Sequence, residues 1–221
     1  ADIMLATPGS PGQNNNEIIR NEVGETIGNM FGPRFLGVDE LGNYVLSTDD
    51  PDEFENIGNG LPDGEFGFAN TFAYKNWDLS FFLRGVFGHD LYNSYRGFYE
   101  NRDEPSNTWN SVITDKTDVR ITDTPTFSDL YVEDATFVRL DNAQIGYRVP
   151  IQSDVFSNLR IYAAGQNLFT ITDYEGIDPE VRYTDSEDTN SFTAGLAPGI
   201  ERRGTYATTR SYTIGLTVNI K

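Results

Sequence analysis

Residues 206–221 read YATTRSYTIGLTVNIK, and this stretch decides the class of fold. From Tyr212 to Ile220 every second side chain is apolar, and the side chains between them are small or polar. Such strict alternation predicts a β-strand. Because one face is oily and the other is small and polar, we expect this strand to separate an apolar medium from a wet one.

The same alternation recurs upstream. It is present in four further segments, namely Phe66–Tyr74, Trp77–Phe87, Phe137–Val149 and Leu159–Thr172. Only Lys75 and Asn76 separate the first two segments, which predicts a tight hairpin. A weaker candidate covers Ile18–Phe31. We therefore predict an all-β fold of about six antiparallel strands.

The connections between these segments alternate in length. Long connections cover 37–65, 89–135 and 173–205, whereas 75–76 and 150–157 are short. Long loops on one side and short turns on the other are typical of outer-membrane β-barrels. Six strands are too few for a closed barrel, since the smallest have about eight, and open edges are costly in lipid. We therefore expect residues 1–221 to be the C-terminal portion of a longer chain, which an exported protein would begin with a signal peptide.

The acidity of the chain lies in the three long connections. The chain has 34 acids and 16 bases, a formal net charge of −18, and no cysteine. The long connections hold nine acids and no base, ten acids and four bases, and eight acids and three bases, in chain order. Such acidity repels phosphate and excludes a nucleic-acid binder, and the lack of cysteine excludes disulfides and thiolate metal sites.

Catalytic chemistry has little support in this sequence. The single histidine, His89, has no evident nucleophile or orienting partner. The paired carboxylates could serve acid–base chemistry, but nothing fixes their separation. They are Asp49/Asp50, Asp52/Glu53 and Glu133/Asp134. The ordered ligand spacing of a calcium loop is also missing. We predict no enzyme activity, no cofactor and no metal site.

Aromatic side chains supply two sets of candidate functional residues. Flat rings near hydrogen-bonding side chains could stack on sugars or hold peptide side chains at a pore mouth. The candidates for such substrate contact are Tyr92, Tyr95, Arg96, Phe98, Tyr99 and Trp109. The alternative is that these residues pack a loop against the rim or a partner. The candidates for membrane-interface aromatics are Tyr74, Trp77, Tyr147 and Tyr212.

Several motifs resemble the C-terminal barrel segment of SusC/RagA-type TonB-dependent transporters. Residues 66–80, FGFANTFAYKNWDLS, are similar to the family's "YGF-NTF-YKNFDLS" hairpin. Residues 165–170, GQNLFT, and 176–181, GIDPEV, resemble its "SGQNLFT" and "GYDPEV". Further matches lie in Val23–Gly28, where Thr26 replaces the usual proline, and in Gly85–Asn93, Ala135–Pro150, Leu159–Tyr162 and Tyr206–Gly215. The motifs run in family order from about residue 23 to the end.

The resemblance implies the last strands of a plugged barrel of the 22-stranded type in the outer membrane. It also implies import of oligosaccharides or peptides, with a SusD-like surface lipoprotein as lid. Energy would come from the TonB–ExbB–ExbD complex, through an N-terminal part and plug that this chain does not contain. Lipid of the outer membrane would surround the barrel.

Two departures from the family pattern matter. Residues 37–65 lack the family's "DLNGDG" run, so no cation site is carried onto Asp49, Asp50 or Asp52. Family members commonly end on an aromatic residue, so we expect the native chain to continue past Lys221, with Phe next. Two alternatives stay open, namely a smaller outer-membrane barrel such as an adhesin or barrel enzyme, and a soluble acidic β-domain that binds carbohydrate or calcium.

Overall fold

The computed structural model describes residues 3–6, 18–100, 111–123, 125–180, 198–201 and 207–220. The chain divides into two compact units. Unit 1 comprises residues 1–63, 88–136 and 173–207, and unit 2 comprises 64–87, 137–172 and 208–221. The sequence predicted one barrel portion over 1–221. That assignment stays a prediction, and within it the chain passes back and forth between a long-stranded unit and a unit built from the long connections.

Nearly all regular structure in the described residues is β. The strands are β1 (Ile3–Ala6), β2 (Ile19–Asn21), β3 (Asn29–Gly32), β4 (Phe35–Val38), β5 (Tyr44–Leu46), β6 (Glu55–Asn59), β7 (Gly64–Tyr74), β8 (Trp77–Phe87), β9 (Asp90–Asn93), β10 (Val132–Asp134), β11 (Phe137–Val149), β12 (Phe156–Thr172), β13 (Ile200–Glu201) and β14 (Ser211–Ile220). One α-helix, α1, covers Ser94–Tyr99, and single 3₁₀ turns lie at Pro51–Glu53 and Asp129–Tyr131. None of the helices in the described ranges has the length and apolar character to cross a membrane.

Unit 2 is one antiparallel sheet whose five long strands pair in chain order, β7-β8-β11-β12-β14. Strands β8 and β11 have the predicted bounds, and β7 and β12 begin two or three residues early. Tyr74 pairs with Trp77 across the two-residue turn, where Lys75 has a φ of 53°. The hairpin is confirmed. So is the alternation of connections, because 75–76 and 150–155 are short while the long connections include 88–136 and 173–207 of unit 1.

A β-bulge explains the interrupted apolar stripe in β12. Leu140 pairs with Phe169, and Asn142 pairs with Gln166. Asp141 on β11 therefore lies opposite both Asn167 and Leu168, and Asn167 adopts the left-handed conformation with a φ of 51°. Asp141 is itself an extra residue relative to β8, since Leu140 pairs with Leu83 and Asn142 pairs with Phe82, so Leu140 and Ala143 lie on the same face of the sheet. The apolar face stays continuous because the apolar residues of β11 change at this bulge from even positions, such as Leu140, to odd positions, such as Ala143.

Unit 1 includes the stretches that the sequence predicts as long loops and as a sixth strand. Its main core contains buried side chains from all three of its segments, namely Ile18, Ile19, Met30, Ile57, Tyr92, Phe127, Tyr131 and Ile200. Ile18–Phe31 does not form one long strand. Gly24 and Gly28 have positive φ angles there and place a turn between β2 and β3. These two strands join the sheet β1-β2-β3-β6, while β9 pairs antiparallel with β10 and parallel with β13.

Candidate functional site

One face of the five-stranded sheet is apolar on all five strands except at Asn70 of β7, and we call it the apolar face. Its paired rows are Tyr74–Trp77–Tyr147–Ile161–Leu216, Phe72–Leu79–Ile145–Ala163–Ile214, Phe68–Leu83–Leu140–Phe169 and Phe66–Gly85–Val138–Ile171. Many of these side chains are exposed in the chain; Ile214 is 85% exposed and Tyr74 is 70% exposed. An exposed apolar surface of this extent marks contact with a membrane or another apolar partner.

The extent of the apolar face along the strands fits a bilayer. Phe66 and Tyr74 lie at its two ends on β7 and are eight residues apart, which is about 27 Å of strand at ~3.4 Å per residue. With a strand tilt of about 40°, this corresponds to roughly 21 Å along the membrane normal, close to the ~25 Å apolar band of outer-membrane barrels.

Three of the four predicted interface aromatics lie side by side at the short-turn end of the apolar face. Tyr74, Trp77 and Tyr147 are cross-strand neighbours, and we call them the aromatic row. The ring centroids of Trp77 and Tyr147 are 4.7 Å apart. Tyr212 lies elsewhere, opposite Gly165 and about 14 Å along β14 from the row's level at Leu216. An interface role for these four residues stays a prediction.

The opposite face, the polar face, is lined by small and polar side chains. On β12, Arg160 donates from Nε to Asp78 Oδ2 of β8 at 3.0 Å, and its Nη2 also contacts that carboxylate. It reaches Asp78 by lying across β11 at Gly146, where any Cβ would overlap the guanidinium. Tyr162 lies over Gly215 of β14 in the same way. Glycines on the neighbouring strands therefore let the large side chains of β12 lie flat against the sheet.

The polar face carries a second charged group towards the other end of the strands. Arg84 donates from Nε to Asp141 Oδ2 at 2.9 Å. The guanidinium carbons of Arg84 and Arg139 lie 5.5 and 4.9 Å from the ring centroid of Phe137, so this ring contacts two cations. The two faces of the sheet thus differ sharply, since the charged groups of these strands lie on the polar one.

The candidates for substrate contact occupy two different environments in unit 1. Tyr92 and Arg96 are only 2% and 1% exposed. Tyr92 packs in the core, 5.5 Å from Phe127 between ring centroids. Such enclosed side chains have almost no surface for a ligand, which favours the alternative role of packing for these two residues.

The other candidates lie on α1 or outside the described residues. Tyr95, Phe98 and Tyr99 are half-buried and pack together, with centroid distances of 6.1 Å for Tyr95–Tyr99 and 4.8 Å for Phe98–Tyr99. Trp109 lies outside the described residues. Substrate contact by the α1 aromatics and by Trp109 stays a prediction.

A buried ionic cluster joins distant parts of unit 1, and we call it the Glu133 network. Glu133 accepts hydrogen bonds from Arg96 Nη1 at 2.9 Å and Lys116 Nζ at 2.6 Å. It also accepts from Asn93 Nδ2 at 3.0 Å and the backbone N–H of Glu175 at 3.1 Å. Burial alone would raise the pKa of Glu133, but the hydrogen bonds from Lys116 and Arg96 outweigh it and lower this pKa.

The sequence did not reveal this network. Glu133 was noted only as one of a pair of adjacent carboxylates, and its partners come from positions 93 to 175. No periodic pattern links residues so far apart. The other catalytic candidate, His89, is buried, with Nε2 3.0 Å from the carbonyl oxygen of Pro179. Across the described ranges, no group of three or more His, Asp or Glu side chains is arranged to hold a metal ion.

Comparisons with known proteins identify relatives whose similarity extends over most of this chain. The chain is 30% identical to "TonB-dependent receptor P3" of Formosa agariphila over 249 aligned positions, covering 96% of this chain and 24% of the receptor. It is 28% identical to "TonB-dependent receptor SusC" of Bacteroides thetaiotaomicron, covering 74% of this chain and 16% of SusC. No protein-family model matches the sequence.

Solved structures show the same fold. A structure of the RagAB peptide transporter superimposes with a TM-score of 0.71 at 19% identity, covering 93% of this chain and 24% of that chain. A second structure, of the RagAB peptide importer in its "open-open" state, gives a TM-score of 0.70 at 20% identity. The chain therefore spans about a quarter or less of the length of these relatives.

Proposed function

The chain is homologous to the C-terminal barrel segment of SusC/RagA-type TonB-dependent receptors, and from this premise we propose that unit 2 supplies five adjacent strands of the wall of an outer-membrane importer. The observation that carries this proposal is the apolar face, which is continuous across all five strands and exposed. In a barrel it would face lipid, and the polar face would line the interior.

The whole protein, in this proposal, imports oligosaccharides or peptides across the outer membrane. A SusD-like surface lipoprotein acts as its lid, and the TonB–ExbB–ExbD complex drives uptake through parts outside this chain. The long connections of unit 1 support an outward position for that unit, since outer-membrane barrels carry their long loops on the outside. Unit 1 would then offer the α1 aromatics and Trp109 to substrate or lid.

The orientation of the two faces can be tested with single cysteines introduced into this chain, which has none of its own, after any cysteine elsewhere in the full-length protein is replaced. Spin labels at Phe72, Leu79 and Ile145 report on the apolar face, and labels at their neighbours Thr71, Ser80 and Gln144 report on the polar face. In the full-length protein reconstituted in lipid, we expect the first set to be relaxed by oxygen and shielded from a water-soluble nickel complex. Equal relaxation of both sets, or a protein that stays soluble without detergent, would contradict the proposal.

The partner can be tested separately. A mild-detergent pull-down of the full-length protein is expected to recover a surface lipoprotein in stoichiometric amount. Recovery of the barrel alone would argue against the SusD-like lid while leaving the assignment of the wall intact.

A further inference from the structure

We propose that Lys75 and the aromatic row form a binding site for the phosphate headgroup of a membrane phospholipid. This inference rests on the proposed function, because it takes the apolar face to be in contact with lipid. It adds a specific ligand contact at one end of that face.

The geometry places a single cation at the edge of an aromatic surface. Lys75 occupies the tip of the β7–β8 hairpin, and its left-handed backbone directs the turn between Tyr74 and Trp77. Its ammonium lies 5.3 Å from the ring centroid of Tyr74, on the apolar side of the sheet. Trp77 and Tyr147 continue this surface across the next two strands. A lysine and three amphipathic rings therefore meet where the apolar face ends.

Charge complementarity identifies the ligand as an anion. Lys75 is exposed, and it has no carboxylate within salt-bridge distance among the residues that the structure describes. The neighbouring carboxylate of Asp78 points to the polar face and is held by Arg160. Lysine side chains at the end of a lipid-facing surface extend their ammonium towards the headgroups.

The aromatic row identifies the anion as part of a lipid. Tyrosine and tryptophan rings favour the headgroup level of a bilayer, where their apolar bodies meet acyl chains and their polar edges meet water. A free phosphate would use only the ammonium, whereas a phospholipid would also cover the three rings. The ligand chemistry that fits both features is a phosphate diester joined to acyl chains.

The test compares lipid binding by four forms of the full-length protein. Detergent-purified protein is titrated with phosphatidylglycerol, and native mass spectrometry measures the dissociation constant of the most tightly bound lipid molecule. Lys75→Gln removes the cation, and Lys75→Arg keeps it. Arg148→Gln is the matched control, because Arg148 is an exposed cation of the same sheet end but lies on the polar face. A competition arm adds inorganic phosphate.

We expect Lys75→Gln to weaken lipid binding about fivefold, the loss for one lysine near a lipid surface. Lys75→Arg and Arg148→Gln are expected to bind as the unaltered protein does, and inorganic phosphate should not displace the lipid. Unchanged binding by Lys75→Gln would overturn the site. An equal loss in Arg148→Gln would show a general charge effect and overturn it as well. Displacement by inorganic phosphate would show that the site binds any phosphate, and it would overturn the assignment to a lipid. These failures are distinct from failure of the wall assignment, which the spin labels report.

Discussion

Among single residues, Glu133 joins distant parts of unit 1, because its carboxylate accepts four hydrogen bonds, from Arg96, Lys116, Asn93 and the backbone of Glu175. Its carboxylate is enclosed with Arg96, and Lys116 closes the network from a more exposed position. Removing the charge of Glu133 takes away one of the two buried carboxylates that compensate Arg96, the other being Glu100. The stability of unit 1 therefore depends on this carboxylate more than on any of its surface ion pairs.

Glu133→Gln is expected to lower the local stability of unit 1 by roughly 2 kcal/mol, because charge-assisted hydrogen bonds are lost while Arg96 keeps its pair with Glu100. Hydrogen exchange of the amides of 93–100 and 130–134 in the full-length protein measures this loss. The control is Asp118→Asn, which breaks the pair with the 68%-exposed side chain of Arg120 and should cost less than about 1 kcal/mol. Equal effects of the two substitutions would contradict the importance of the network. Since the pKa of Glu133 is lowered in the folded state, its contribution is present above the ordinary value of 4.5 and is lost as the pH falls below it.

Tyr44 predicts a loss of stability at high pH. Its hydroxyl lies 2.5 Å from that of Tyr131, and burial raises the pKa of Tyr44 from 10.0 to about 12. The folded state thus favours the neutral phenol, so its contribution is complete below pH 10 and declines as the pH rises towards 12. We expect the urea midpoint of unit 1, followed by near-ultraviolet circular dichroism, to fall over this interval. Tyr44→Phe should make the fall shallower; an identical fall in this variant would exclude Tyr44 as a cause.

At the level of a single element, the bulge at Asn167 lets β12 place its apolar side chains on the apolar face both before and after the bulge, as at Ala163 and Phe169. The left-handed conformation costs most residues about 1–2 kcal/mol, and Asn and Gly are the residues that adopt it most readily. Asn167 also donates from Nδ2 to the carbonyl oxygen of Thr209 at 3.0 Å. Asn167 therefore both accommodates the left-handed backbone of β12 and holds the residues that precede β14.

Asn167→Val is expected to destabilise the sheet by at least ~1–2 kcal/mol, because valine must hold a left-handed backbone. Asn167→Gly loses the hydrogen bond to Thr209 but keeps the backbone conformation, so it should destabilise the sheet less than Asn167→Val does. The thermal midpoint of the full-length protein in detergent gives the order of stability. A valine variant as stable as the glycine variant would contradict the bulge.

The sequence predicted the elements of unit 2 well, because each long strand has its own alternation of apolar and polar residues. Phe137–Val149 and Trp77–Phe87 have their predicted bounds for this reason. It predicted unit 1 poorly. There the strands are short and pair over long distances, as when Ile200 on β13 pairs with Tyr92 on β9, and such pairing leaves no local period to detect.

The candidate residues show the same contrast. The pairing of Tyr74 with Trp77 was predicted because these residues flank a two-residue turn that can be recognised in the sequence, whereas their alignment with Tyr147 depends on the register of β11. The burial of Tyr92 and Arg96 was not predicted, because it depends on Phe127, Tyr131 and Glu133, which are more than 30 residues away. A local cluster of rings and cations cannot distinguish a binding surface from a core.

At the scale of the whole molecule, the apolar face predicts different tolerance to charge on the two sides of the sheet. Leu79→Lys, in the second row of the apolar face, should destabilise the membrane-inserted protein by about 2–4 kcal/mol if it lies near the bilayer centre. Ser80→Lys, one residue away on the polar face, should be nearly neutral. The amount of folded protein in the outer membrane, measured by heat-modifiable mobility on gels, compares the two. Equal loss in both variants would contradict a lipid-facing role for Leu79.

The way in which unit 1 is assembled has a consequence for its evolution. Three segments that alternate along the chain with the strands of unit 2 each contribute to one core, through residues such as Ile57, Tyr131 and Ile200. A recombination that exchanged one segment between relatives would combine side chains that had diverged separately. We expect chimaeras that exchange all three segments together to be viable more often than chimaeras that exchange one, so that new specificities would be inherited in blocks while the strands between them change little.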